Sequence, residues 1–186
     1  PHIGHLILAA EAREQLNLDR LLWMLTPDPP HKQGRVISPM EVRREMVCAA
    51  IAENPAFELS TVEIDRPGPH YAVDTVRIVQ RMHPEASVLY LIGGDSLHDL
   101  PTWHEPARLV ADCAALGVMR RPGDQIDLSA LEQNIPGISA KVAWIDAPLL
   151  EISASEIRER VRNGQTYRYY LPESVFRLIQ QHQLYQ

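Results

Sequence analysis

The sequence has few of the features that mark secreted, metal-clustered or membrane proteins. It contains only two cysteines, Cys48 and Cys113, and their wide separation matches no zinc-site spacing. No apolar run approaches the roughly 20 residues that a membrane-spanning helix needs, and no secretory signal pattern is visible at the start. We therefore expect a cytoplasmic protein with reduced thiols and no membrane partner.

An excess of positive charge is also lacking. The 24 acidic residues outnumber the 18 Lys and Arg residues, which gives a formal net charge of -6. Because proteins with a general nucleic-acid surface usually carry a basic field, we expect no nucleic-acid partner. Phosphate groups can still bind where basic groups cluster locally. With 45% hydrophobic and 23% charged residues, the composition predicts one ordered domain over residues 1–186.

Short apolar runs alternate with stretches of helical periodicity along the chain. This alternation predicts an α/β fold with a parallel sheet that helices cover on both faces. Loops at the carboxyl ends of such strands are where ligands bind. Two segments, Ser38-Pro39-Met40-Glu41 and Ser153-Ala154-Ser155-Glu156, have the form of a capping box and predict helix starts. The predicted strands are about 21–25, 57–64, 87–92, 114–119 and 141–145. The predicted helices are about 5–16, 39–53, 71–82, 106–112, 154–162 and 172–182.

The first predicted helix begins with His2-Ile3-Gly4-His5. Free backbone N–H groups and the helix dipole favour an anion at such a start. Gly4 has no Cβ, so a phosphate oxygen could approach the main chain closely. His2 and His5 are three residues apart and lie on one side of the helix, where both rings could donate to phosphate. The alternatives are two polar residues at an ordinary helix start, or a zinc site, which no nearby Cys or acidic partner supports.

A second helix start of similar character lies near the end of the chain, at Ile152-Ser153-Ala154-Ser155-Glu156-Ile157-Arg158. Ser155 and Arg158 are one turn apart on one face, and a guanidinium fork matches the geometry of phosphate. The alternative is a normal capping box followed by a surface arginine. Two phosphate-suited helix starts at opposite ends of the chain favour a nucleotide site.

Together these two segments resemble the HxGH and ISSTxIR motifs of the nucleotidylyltransferase superfamily. Five further segments resemble, in the same order, motifs of the bacterial nicotinate-mononucleotide adenylyltransferases, and the resemblance covers essentially the whole chain. The five segments are Pro29-Pro30-His31-Lys32, Tyr71-Ala72-Val73-Asp74-Thr75, Ile92-Gly93-Gly94-Asp95-Ser96, Leu100-Pro101-Thr102-Trp103 and Arg121-Pro122-Gly123. Ala154 departs from the second motif, while Ser155 keeps a hydroxyl where the family has threonine.

The resemblance implies a Rossmann-like three-layer fold with a parallel central sheet, of the nucleotidylyltransferase type, and a small C-terminal helical part. It implies adenylyl transfer from ATP to nicotinate mononucleotide, which yields deamido-NAD and pyrophosphate in NAD biosynthesis. Mg²⁺ would accompany ATP and stay largely hydrated, so few direct protein ligands are expected and none is assigned. The expected partners are the small-molecule substrates, and homo-oligomer formation is left open.

The resemblance also implies roles for individual residues. Lys32 would close over the phosphates, Asp95 would lie near ribose hydroxyls, and Trp103 would stack on the pyridine ring. The nicotinate carboxylate would be held mainly by backbone N–H groups near Thr75 and just after Trp103. The implied ATP-binding residues are His2, Gly4, His5, Gly93, Asp95, Ile152, Ser155 and Arg158. The implied mononucleotide-binding residues are Lys32, Arg43, Thr75, Trp103 and Arg120. The implied catalytic residues are His2, His5, Lys32 and Arg158.

One departure and three alternatives remain at this point. The family begins with a strand and a Gly-Gly-Thr-Phe-Asp segment before HxGH, so we expect a strand and a glycine-rich turn ahead of His2 in the natural protein. The same-class alternatives are an adenylyltransferase acting on nicotinamide mononucleotide or on phosphopantetheine, of which Thr75 and Trp103 argue against the second. The other alternative is a non-catalytic nucleotide-binding or sensor protein.

Overall fold

The computed structural model describes residues 1–27, 38–120, 126–148 and 150–186, so the predictions that fall on Lys32, on the rest of 28–37 and on 121–125 lie outside it. In the described ranges every paired strand is parallel to its neighbour. This confirms the parallel α/β class expected from the sequence. The strands are β1 (Leu21–Met24), β2 (Phe57–Ser60), β3 (Leu89–Gly93), β4 (Ala115–Met119) and β5 (Val142–Ile145).

The strands form two sheets rather than one continuous central sheet. β1 pairs with β2, with Leu21 opposite Phe57, and the second sheet has the order β3-β4-β5. Leu91 of β3 packs against the apolar cluster that contains Leu21 and Leu25, so the two sheets are neighbours. In the described ranges no backbone ladder joins β1 to β3. A strand placed between them could pair with both edges, and the expected strand ahead of His2 stays a prediction.

Helices connect the strands and cover the sheets. None of those in the described ranges is long and apolar enough to cross a bilayer. The helices are α1 (Ile3–Gln15), α2 (Met40–Ile51), α3 (Ala72–Met82), α4 (Gly94–Asp99), α5 (Pro106–Asp112), α6 (Leu128–Asn134), α7 (Ile138–Lys141), α8 (Ala154–Arg162) and α9 (Glu173–Gln181). Short 3₁₀ turns cover Leu100–Thr102 and Arg168–Tyr170.

In the described ranges the buried apolar residues form three clusters. The largest lies around β3 and β4 and includes the fully buried Leu97, Leu109 and Leu116. A second lies under β1 and β2. The third joins α2 to the C-terminal helices through Met46 and Ile157. This last cluster attaches the predicted C-terminal helical part to the body of the protein.

Two details differ from the sequence-based prediction. The capping box at Ser38 does not form, because Pro39 takes the N-cap position without a side-chain cap and the Ser38 hydroxyl bonds the Tyr185 hydroxyl at 3.1 Å. The other predicted box does cap its helix, since the Ser153 hydroxyl accepts from the Glu156 N–H at 3.1 Å. The short helices α4, α6 and α7 were not predicted, because six, seven and four residues are too few to show a period.

Candidate active site

The segments that follow parallel strands lie at the carboxyl edge of a sheet. α1 lies against β5, and its last residue, Gln15, bonds the backbone of Asp146 just after that strand. At the start of α1 the His2 N–H donates to Nδ1 of His5 at 3.2 Å, and the two ring centroids are 3.7 Å apart. Because Nδ1 accepts this bond, a neutral His5 ring carries its proton on Nε2. His5 is solvent-exposed, so the backbone of α1 orients a ring donor at the helix N-terminus.

His2 lies beside it in a different environment. Only 8% of its surface is exposed, and its Nδ1 has no hydrogen-bond partner among the described residues. Burial, with a further contribution from the Pro1 amino group, lowers the pKa of His2 to about 4. The ring is therefore neutral near pH 7. Donation from His2 to a phosphate, as expected from the sequence, stays a prediction.

The lack of a side chain at Gly4 leaves space for the His2 ring as well as for a bound anion. A Cβ at this position would lie 3.1 Å from both Cε1 and Nδ1 of His2. That is tighter than ordinary van der Waals contact, so a side chain here would displace the His2 ring. The glycine of HxGH is thus explained by the packing of its own neighbour, in addition to the close approach of a phosphate expected from the sequence.

The second helix start lies at α8. The Ser155 hydroxyl is 3.1 Å from the hydroxyl of the capping Ser153, and both serines are exposed. The Arg158 guanidinium lies over the Tyr185 ring, 6.0 Å from its centroid. Ile152, just before the helix, packs against the C-terminal apolar cluster. The α8 start therefore presents a hydroxyl pair and an arginine, and the turn that follows α9 supports the arginine through Tyr185.

Arg158 of α8 lies near the first residue of the sequence. The pKa of the Pro1 amino group is lowered by burial and also by the positive charge of Arg158. This effect requires Arg158, near the end of the chain, to lie within electrostatic range of the first residue of the sequence. An anion between α1 and α8 would meet two helix N-termini, a guanidinium and the His5 ring.

The end of β3 contributes the predicted ribose-binding segment. Asp95 is exposed, and its Oδ1 accepts from the Ser96 N–H at 3.0 Å. A Cβ on Gly93 would lie 2.6 Å from the same oxygen. Gly93 is thus required for the position of the Asp95 carboxylate. The structure places this carboxylate just past the carboxyl end of β3.

Arg43 and Arg120, the weaker candidates, both have protein partners. Arg43 donates to the carbonyls of Thr26 at 2.6 Å and Pro27 at 3.1 Å, so it holds the chain just after β1. Arg120 follows β4, and its guanidinium carbon is 4.2 Å from the centroid of the Trp144 ring. Lys32 lies outside the described residues. A phosphate contact by any of the three stays a prediction.

The predicted pyridine-binding residues lie at α3 and after α4. Trp103 is half-buried and meets Tyr90 edge-on, with 6.2 Å between ring centroids. Tyr71, the N-cap of α3, stacks on His104 at 4.0 Å. These contacts join the start of α3 to the segment that follows Trp103. The two places predicted to supply N–H groups to the nicotinate carboxylate are therefore neighbours.

Thr75 itself is buried in the first turn of α3. It is only 2% exposed, and its N–H donates to the Tyr71 carbonyl at 3.2 Å. The N–H groups of Ala72, Val73 and Asp74 precede it in the first turn and have no acceptor within the helix. The start of α3, rather than Thr75 itself, is where an anion could bind.

Sequence reasoning missed several residues that organise this edge. Tyr185, Tyr71 and His104 were not singled out because each acts through a partner distant in the chain. In the described ranges no group of three or more His, Cys, Asp or Glu is arranged to hold a metal ion. A metal ion that is held mainly by phosphate oxygens needs no such group.

The buried His2 ring predicts a pH-dependent stability. The unfolded chain protonates this histidine near the ordinary pKa of 6.5, while the folded form stays neutral down to about pH 4. Since the unfolded state then binds more protons, the free energy of unfolding falls as the pH drops through this window. Urea unfolding should show that wild type loses more stability than His2→Asn between about pH 7 and about pH 5.

The control is His83→Asn, at the C-cap of α3 and away from the site. It should follow the wild-type pH dependence. Parallel pH dependences for wild type and His2→Asn would contradict the buried, neutral state of the ring.

A family model described as cytidylyltransferase-like matches residues 1–160. A relative from Thermomicrobium roseum, named as a probable nicotinate-nucleotide adenylyltransferase, is 45% identical over 184 residues, which is 99% of this chain and 86% of that protein. One from Thermus thermophilus with the same name is 39% identical, with 99% and 92% covered.

The fold has a close counterpart among solved structures. It is similar to Plasmodium falciparum nicotinic acid mononucleotide adenylyltransferase complexed with NaAD, with a TM-score of 0.76, 20% identity, and 99% and 91% of the two chains covered. At that identity the likeness shows the fold alone, and the sequence relatives show the family. The chain belongs to the cytidylyltransferase-like family and, within it, to the nicotinate-nucleotide adenylyltransferases.

Proposed function

We propose that the protein transfers the adenylyl group of ATP to nicotinate mononucleotide and so forms deamido-NAD in NAD biosynthesis. The observation that carries this proposal is that Arg158 lies within electrostatic range of Pro1, next to His2 at the start of α1; we propose that His5 and Arg158 face one ligand. A triphosphate is the ligand whose charge and length suit two adjoining helix N-termini. The close relatives bear the name of this activity.

The reaction is an in-line displacement at phosphorus. A phosphate oxygen of the mononucleotide forms a bond to the α-phosphorus of ATP. The bond from that phosphorus to the bridging oxygen breaks, and pyrophosphate leaves with the electron pair. No covalent intermediate on the protein is needed, so catalysis consists of positioning and stabilisation of the developing charge.

Each group at the two helix starts has a distinct part in this scheme. The Nε2–H of His5 donates to a phosphate oxygen whose charge grows during the attack. The Arg158 guanidinium and the Ser155 hydroxyl hold the β- and γ-phosphates from the α8 side. The neutral His2 ring supports His5 through ring contact, Gly4 makes room for it, and Lys32 closes over the phosphates.

Nucleotidyl transferases of this kind generally use a divalent metal ion, and we propose Mg²⁺ here. Bound to phosphate oxygens, it would neutralise charge on the triphosphate and the leaving group. Asp95 is an exposed carboxylate just after β3, and it serves the ribose hydroxyls in our proposal. The protein would then contact the ion mainly through the substrate and its hydration shell.

The mononucleotide would bind on the other side of ATP, between α3 and the segment after α4. The Trp103 ring stacks on the pyridine, and the first-turn N–H groups of α3 receive the nicotinate carboxylate. Arg43 and Arg120 are placed beside its phosphate. The substrates are small molecules, and we propose that the protein acts in the cytoplasm without a nucleic-acid or membrane partner.

The substrate assay tests the function directly. With ATP and Mg²⁺, pyrophosphate release should have a higher kcat/KM with nicotinate mononucleotide than with nicotinamide mononucleotide, because N–H donors that suit a carboxylate are poorly matched to an amide nitrogen. Equal values would point to a dual-specificity enzyme, and a preference for the amide would contradict the proposed acceptor. Binding of both nucleotides without turnover would instead identify a sensor.

The variant His5→Ala tests the α1 start. We expect kcat to fall by about 10² or more, since the lost donor acts mainly in the transition state. The unfolding midpoint should stay within a few degrees of wild type, because the ring is exposed. If His5→Ala turns over at the wild-type rate, the two histidines are only polar residues at a helix start. His83→Ala is the control and should keep full activity.

The variant Trp103→Ala tests the pyridine subsite. Stacking on the ring is worth about 1–3 kcal/mol by analogy with aromatic–base stacking, so KM for the mononucleotide should rise while KM for ATP changes little. Trp103→Phe keeps an aromatic face and should restore most of the affinity. If both KM values rise together in the alanine variant, the tryptophan is a core residue whose packing on Tyr90 is what matters.

A further inference from the structure

A buried polar network lies between β2 and α3, next to the edge just described. The Glu63 side chain is 6% exposed and that of Thr75 is 2% exposed. The Thr75 hydroxyl donates to Oε1 of Glu63 at 2.6 Å, a short distance typical of a charge-assisted bond. Oε2 of the same carboxylate is buried and has no partner in the part of the chain that the structure describes.

Arg66 completes the network from the other side. One terminal nitrogen donates to the Thr75 hydroxyl at 3.1 Å, and the other donates to the Pro69 carbonyl at 2.9 Å. The Thr75 hydroxyl therefore accepts from the guanidinium and donates to the carboxylate. Through this single oxygen it bridges the opposite charges of Arg66 and Glu63, which have no direct ion pair between them in the described ranges.

The network touches both segments predicted to hold the pyridine ring. Arg66 makes a long contact of 3.5 Å with the carbonyl of Tyr71, the N-cap of α3, and Tyr71 stacks on His104. On the other side lies Tyr90, whose pKa is raised to about 12 by burial and then by the charge of Glu63. The Tyr90 ring is the one that Trp103 meets edge-on.

Burying a carboxylate such as that of Glu63 is costly for stability alone. Arg66 is half-buried, so its charge is desolvated only in part. The Glu63 carboxylate and the Arg66 guanidinium would have a structural role if the orientation of α3 must be fixed, because hydrogen bonds are directional and apolar contacts are not. Glu63 and Arg66 lie beside the predicted pyridine subsite, where the orientation of α3 would affect binding.

We propose that Glu63 and Arg66, bridged by the Thr75 hydroxyl, are positioning residues that fix the first turn of α3 relative to Trp103 and so determine the affinity for the pyridine mononucleotide. They act through Thr75 and Tyr71 and do not touch the substrate themselves. This inference rests on the proposed function for its substrate. It assigns the Thr75 side chain to the support of the subsite rather than to the ligand.

The test compares Thr75→Val, which keeps the shape but loses the hydroxyl, with Thr75→Ser, which keeps the hydroxyl. The valine variant should raise KM for nicotinate mononucleotide about tenfold, as expected for bonds to charged groups, with little change in KM for ATP. The serine variant should stay near wild type. Arg66→Lys, which keeps the charge but cannot make both bonds, should resemble the valine variant and serves if that variant folds poorly.

The matched control is Gln80→Ala on the same helix. Gln80 donates to the Asp112 carbonyl at 2.5 Å, near the opposite end of α3, so its loss should lower the unfolding midpoint without changing either KM. The backbone amides of residues 75–78, which donate to the first carbonyls of α3, should exchange hydrogen faster in Thr75→Val than in Gln80→Ala. An unchanged KM for the mononucleotide, or equal rises in both KM values, would overturn the proposal.

The experiments distinguish failure of the proposed function from failure of the positioning role. If wild type does not turn over nicotinate mononucleotide, the substrate assignment falls, and with it the pyridine part of this inference. Amide exchange in the ligand-free protein then decides on its own whether the bridged pair fixes the start of α3. Unchanged exchange in Thr75→Val would overturn that part as well.

Discussion

The proposed site depends on one constraint: two helix N-termini from opposite ends of the chain must lie close enough to bind one ligand. α1 carries the histidines and α8 carries Arg158, which lies within electrostatic range of Pro1. The apolar cluster of Met46 and Ile157 holds the α8 segment against α2. Neither helix start alone would distinguish an anion site from ordinary capping.

Most of the fold could be predicted from the sequence because its signals are local. Continuous apolar runs such as Ala115–Met119 mark strands that are buried in the sheet, and α3 lies where the helical period of residues 71–82 predicts it. Ser38 was misread because its hydroxyl has a partner 147 positions away. The division into two sheets was also not predicted, since ladder bonds between distant strands leave no local trace.

The residues of the candidate site could likewise be predicted only in part. The segments around His5, Arg158 and Trp103 could be found because each has a recognisable pattern and the patterns occur in a fixed order. The residues that support them could not be found from the sequence. Tyr185 contacts Arg158, and Glu63 contacts Thr75, only in the folded structure. Thr75 shows the difference, because its pattern suggested a ligand contact while its burial assigns it to a bridge between two charges.

The central claim is that both helix starts act on one triphosphate, and a double-mutant cycle in kcat with His5→Ala and Arg158→Ala tests it most directly. Residues that share a partner couple, whereas independent sites add to within about 0.3–0.5 kcal/mol. The account predicts that each single variant loses turnover and that the double variant loses clearly less than their combined effect. Strict additivity, or a single variant with wild-type turnover, would contradict it.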